Sequence, residues 1–174
     1  MITIHDTSFT SNIDLAKLLA IMSKEKLAKI SDKLDFYVSK NIKKEEMARR
    51  LAYAMLDAPD NILLQLSKTE LEIIDEFVKA GANHYAVRKM RKTYYKLQNW
   101  GLVLTYEDEE AGKWHLLMPN GVREVFAQHY QIFYDMAMKG IKRPSLREYR
   151  FMSLMYDLRQ GVNGEDENEN NKQI

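Results

Sequence analysis

At 174 residues and 45% hydrophobic composition, the chain is long enough to bury a core as one domain or two small ones. A formal net charge of +1, from 26 basic and 25 acidic residues, excludes a generally polycationic nucleic-acid binder, so attraction to an anion must come from where charge is placed. The absence of cysteine excludes disulfide scaffolds, thiolate zinc sites and cysteine nucleophiles.

The opening MITIHDTSFT carries no basic run, and Asp14 and Lys17 interrupt the apolar stretch that follows. Neither a signal peptide nor a membrane span is expected, and a cytoplasmic location fits. Ser11 with Asp14 three residues on reads as a capping box for a short amphipathic helix through Leu15, Leu18, Leu19 and Met22. Leu27, Ile30 and Leu34 mark a second helix, and Met47, Leu51, Ala54 and Met55 a third. Between these two lies DFYVSKNIKK, whose Phe36, Tyr37 and Val38 are too apolar for a solvated loop and predict an extended crossing. Glu45 with Arg49 and Glu46 with Arg50 have the favourable i,i+4 order, which neutralises much of the third helix. Lys43 and Lys44 precede it, where the helix dipole disfavours cations and a bound anion would relieve them.

Leu27 and Leu34 followed by Lys43, Lys44, Glu46, Met47, Arg50 and Leu51 resemble the helix, extended loop, helix motif of SAP domains and of the amino-terminal domain of Rho termination factor, over roughly residues 23–56. The resemblance implies a DNA contact near Lys43 and Lys44, against the alternative of a solvated charged surface.

Ala58, Pro59, Asp60 and Asn61 read as a boundary. Ser67 with Glu70 forms a capping box for a helix whose Leu71, Ile74, Phe77 and Val78 share a face, and Ala80, Gly81 and Ala82 stop it. Asn83 then offers a cap for the stretch NHYAVRKMRKTYYKLQNWG, which carries Arg88, Lys89, Arg91, Lys92 and Lys96 and no carboxylate. At helical spacing Val87, Met90, Tyr94 and Leu97 form an apolar stripe, with Arg88, Arg91, Lys92, Tyr95 and Lys96 on the other faces. Like charges three or four apart cost about 0.2–0.5 kcal/mol per pair in an isolated helix. A basic helix over 83–101 that accepts this repulsion points to phosphate as its partner. Beyond Gly101, Leu102, Leu104 and Tyr106 alternate with Val103 and Thr105, and Trp114, Leu116 and Met118 with His115 and Leu117, which predicts a hairpin across EDEEAGK. Pro119 closes it, and Val122, Val125 and Phe126 open another helix.

The order helix, helix, hairpin, helix over roughly residues 62–130 resembles the winged-helix domains of bacterial transcriptional regulators. In that family the second helix of the pair enters the major groove, which would put Arg88, Lys89, Arg91, Lys92, Tyr95 and Lys96 on DNA. The hairpin turn departs from the family, because Glu107, Asp108, Glu109 and Glu110 would repel a phosphate chain. Either the wing points away from the duplex or the scaffold binds protein.

A helix from Gln131 runs to Gly140, and Ser145 with Glu148 begins a last one after Pro144. There Phe151, Met152, Leu154, Met155, Tyr156 and Leu158 leave little polar face, which suits either a two-fold dimer or packing on the amino-terminal helix. The closing GVNGEDENENNKQI has a disordered, acidic composition. The four histidines lack metal-ligand spacing, and no phosphate-cradling glycine loop precedes a helix. No catalytic residue, metal or cofactor is therefore expected.

The expectation is a mainly α protein with one small β-hairpin: a SAP-like region over 1–58, a winged-helix domain over 59–138, a terminal helix over 139–160 and a disordered tail over 161–174. Its expected partner is nucleic acid, DNA ahead of RNA. Tyr94 and Trp100 read as core, and RNA recognition would need such rings exposed. The alternative is a protein-interaction module acting through the acidic turn and the terminal helix, with no enzyme activity in either case.

Overall fold

The computed structural model describes the backbone of residues 1–170 and the side-chain surroundings of residues 1–161. In chain order it forms β1 (Ile2–Ile4), α1 (Leu15–Leu19), α2 (Lys24–Leu34), α3 (Lys44–Asp57), α4 (Asp60–Leu63), α5 (Lys68–Ala80), β2 (Tyr85–Lys89), α6 (Lys96–Asn99), β3 (Leu104–Asp108), β4 (Lys113–Leu117), α7 (Asn120–His129), α8 (Gln131–Met138) and α9 (Leu146–Asn170). Helix predominates, but the expected lone hairpin is the centre of a four-stranded sheet ordered β1-β3-β4-β2. β1 runs parallel to β3, whereas β2 and β3 both run antiparallel to β4. No helix of the described residues is long and apolar enough to cross a membrane.

Most helices form where periodicity and caps place them. Ser67 accepts from the Glu70 amide while the Glu70 carboxylate accepts from the Ser67 amide, the reciprocal arrangement the sequence predicts for α5. Ser145 and Glu148 repeat it ahead of α9. At α1 the expected box is absent: Asp14 is the cap, accepting from the Lys17 amide. Ser11 is instead buried, with its hydroxyl and backbone shared between Asn83 and Asn120. Asn83, expected as a helix cap, sits in a turn at φ 62 with its side chain on Ser11. α2 and α3 are joined by an extended connection in which Val38 is buried and Tyr37 fully exposed. One continuous core contains Leu19, Leu27 and Leu51 of the first three helices together with Phe77, Trp114 and Phe126.

The largest departure falls on the basic stretch. No helix spans 83–101; the chain forms β2, bends through residues 90–95, and makes only the single turn of α6. Tyr85, Val87, Thr93, Tyr94 and Tyr95 are aromatic or β-branched and favour extended backbone over helix. The outer edge of β4 also offers the backbone partners that Tyr85 through Lys89 take up, and Gly112 accepts from the Met90 amide at 2.9 Å. In a strand and bend, like charges need not stack over one another as they would at i,i+3 and i,i+4. The helix-turn-helix pair expected from α5 and residues 83–101 does not form. At the carboxyl terminus, residues 161–170 continue α9 instead of the disorder expected of them, and residues 171–174 lie outside the described residues.

Candidate nucleic-acid interface

The eight residues expected to meet nucleic acid separate into four groups. Arg88 and Tyr95 are withdrawn from the surface. The Arg88 guanidinium donates to Glu76 Oε2 at 2.5 Å, and His84 Nε2 lies 2.8 Å from the other Glu76 oxygen. Burial pushes the Glu76 carboxyl up, but the hydrogen bonds from His84 and Arg88 outweigh it and hold the group below its usual range. Tyr95 is buried, its ring edge-on to Trp114 and capped by the Arg91 guanidinium 4.0 Å from the ring centre. That stacking fixes Arg91 over its own neighbour.

Lys89, Arg91 and Lys92 form the second group. All three are exposed, and among the described residues none is in an ion pair. They follow the chain out of the sheet, with Lys89 opposite Lys113 in the β2–β4 register. Asp108 faces Lys113 from the other side of β4, and its carboxylate accepts from the Ala111 amide in the hairpin turn. Glu109 and Glu110 project from that turn into solvent. Lys43 and Lys44 stand apart at the start of α3, with Lys43 as a cap that makes no side-chain bond. Glu46 there binds both Arg49 and Arg50, at 2.6 and 2.9 Å, so Glu45 is not Arg49's partner as expected.

Lys96 makes the fourth group alone. Its ammonium donates to the Gln65 carbonyl, and the Gln65 amide donates to the Lys33 carbonyl at 3.2 Å. α6 is thereby tied to the end of α2. Glu70 secures the same turn from within: one oxygen caps α5 and the other accepts from the Leu97 amide at 3.2 Å. Gln98, fully buried, accepts from the Tyr95 amide and donates to Thr105.

A groove of about 580 Å³ opens between these elements, lined by Lys26, Lys29, Ile30 and Lys33 on one side and by Tyr94, Asn99, Trp100 and Met1 on the other. Tyr94, expected in the core, is 43% exposed, while Trp100 is nearly covered. Among the described residues, no carboxylate lines the groove. Lys29 is bridged to Glu25 at 3.0 Å by an exposed i,i+4 pair, whereas Lys26 and Lys33 have no ion pair among the described residues. The three lysines were missed because each lies in an otherwise ordinary amphipathic helix. Their spacing of three and four residues was the available signal, since it puts all three along one helix face. Compared with protein-family models, with curated proteins and with solved structures, the chain matches none.

Proposed function

We propose that the protein binds nucleic acid through the cationic surface made by the strand and bend of residues 89–96 and the lysine row of α2. The observation that carries this is the groove: Lys26, Lys29 and Lys33 line it, no carboxylate among the described residues does, and its opposite wall comes from the continuation of the basic stretch. Such a surface releases counterions from a phosphate chain and gives affinity that falls steeply with salt. The resemblance to SAP domains, whose order of helix, extended connection and helix α2 and α3 keep, favours DNA as the class. The mode differs from a helix laid in the major groove, because the stretch assigned to that helix is a strand and a bend. The acidic hairpin turn would stand outside the contact. Binding of labelled oligonucleotides followed by anisotropy tests the reading. Affinity should drop by at least tenfold between about 50 and about 200 mM salt, and a flat response would remove it.

A second reading, contact with protein, is favoured by α9. Phe151, Leu154 and Leu158 lie at i, i+3 and i+7 and are each more than half exposed. Among the described residues, the polar ties of α9 to the body lie at its root, where Tyr149 donates to Asp60 and Arg150 to Asp35. An apolar stripe of this kind is closed most simply by a second copy across a two-fold axis. Sedimentation of the full chain should give a dimer that Leu154→Glu with Leu158→Glu converts to monomer.

A further inference from the structure

We infer that the groove between α2 and α6 holds a single-stranded segment of nucleic acid, with its phosphates on the lysine wall and an unpaired base against Tyr94. This rests on the nucleic-acid reading above and narrows it to a class of strand. The two walls differ in chemistry in the way the two sides of a single strand differ. On one wall Lys26, Lys29 and Lys33 follow a helix face, and at about 1.5 Å per residue the row extends roughly 10 Å. That length exceeds one phosphate and suits about three successive ones at about 3.4 Å each in a stacked strand. On the other wall, Tyr94 packs against Trp114 with ring centres 5.4 Å apart, yet remains 43% exposed. A ring braced from within and open to the groove is a stacking platform, and its orientation is set before any ligand arrives. Asn99 on the same wall supplies an amide that can donate to and accept from a base edge.

The same features disfavour a duplex. Within a double helix the faces of each base are covered by its neighbours, so Tyr94 would meet only edges or sugar, and stacking would require the base to be flipped out at the cost of unpairing it. A single strand offers its base faces without that cost, and the concave groove, inside the roughly 300–1,000 Å³ range of ligand sites, receives one base or two.

The test compares the full chain's binding to short labelled oligonucleotides of equal length and sequence: single-stranded DNA, single-stranded RNA and duplex DNA. One or both single strands should bind at least about tenfold tighter than the duplex. Tyr94→Ala should weaken single-strand binding about tenfold or more, the loss expected for one stacked base, with little effect on the duplex, and Tyr94→Phe should restore it. Lys26→Gln with Lys33→Gln, both at exposed positions, should flatten the single-strand salt slope by about 1.4. Circular dichroism of each variant separates loss of binding from loss of fold. If duplex and single strand bind equally and Tyr94→Ala is silent, the groove assignment is overturned while nucleic-acid binding stands. If no oligonucleotide binds at low salt, both fall together.

Discussion

Replacing Gly101 with alanine tests how tightly the amino-terminal strand and α1 are seated on the rest of the chain. Gly101 ends α6 at φ +68, and a Cβ built on it would stand 2.9 Å from Leu19 Cδ2, 3.1 Å from Met22 Sδ and 3.4 Å from Ile2 Cδ1. Two costs follow. A left-handed backbone at a residue with a Cβ costs about 1–2 kcal/mol, and forcing a methyl into a filled space adds about 1–3 kcal/mol. Leu19 is wholly buried and Met22 nearly so, which leaves neither room to swing clear. The expected loss is therefore about 2–5 kcal/mol, a large part of a typical folding stability of roughly 5–15 kcal/mol. Gly112 supplies the control. It has φ +64 and nothing within 4 Å of its built Cβ, so Gly112→Ala should show the backbone cost alone. Urea unfolding of the two variants, read by tryptophan fluorescence and far-ultraviolet circular dichroism, gives the comparison. A Gly101→Ala loss within about 0.5 kcal/mol of the Gly112→Ala loss would refute the packing of β1 and α1 against this turn.

Glu70→Ala should cost about 2–4 kcal/mol, combining a lost cap with a buried Leu97 amide left unpaired, and it should loosen α6 and with it the groove, measurable as faster amide exchange at Leu97 to Trp100. Stability should also fall on acidification. Glu76 is held below the usual 4.5 because its hydrogen bonds from His84 and Arg88 overcome burial, and Glu46 is drawn down to about 2 by its hydrogen bonds from Arg49 and Arg50. A lowered folded-state pKa contributes stability that is present above 4.5 and is lost as pH falls through the folded value, so Glu76→Gln should shallow the acid limb of a stability profile taken below 4.5; an unchanged limb would contradict the Arg88 assignment. At the alkaline end, burial and a carboxylate acceptor push both Tyr130 (on Asp75) and Tyr149 (on Asp60) up to about 12. Their contribution is present below 10 and is lost as pH rises towards 12, and an ultraviolet titration should show both among the late phenolates, with one late step disappearing in Tyr149→Phe.

Elements that rest on local signals were legible in the sequence. The Ser67 and Glu70 box, the apolar faces of α2 and α3, and the alternation on either side of the acidic turn are each contained within a short window. What was illegible depends on distant partners. β1 is three residues long and exists because Leu104 to Tyr106 lie alongside it. β2 has a sequence that satisfies a helical stripe and a strand equally, and β4's open edge decides between them. The same cause misplaced the basic side chains. Once residues 83–101 leave the helix, Arg88 swings to Glu76 and Tyr95 turns into the core, while Lys96 reaches across to Gln65 beside Lys33. Charge content along the chain singles out this segment as cationic, and the bend sets its continuation opposite the lysines of α2.

Ser11 joins the turn before β2 to the start of α7, and its partners Asn83 and Asn120 stand 72 and 109 residues further along the chain. During synthesis at about 5–20 residues per second, this early segment must therefore wait several seconds for the residues that will hold it, and it does so with Ile2 and Phe9 uncovered. Ribosome-bound chains truncated before residue 120 should leave the segment open to protease, and longer ones should shield it. Ser11 and its neighbours are thus made well ahead of the residues that secure them, and a chaperone would meet this protein there.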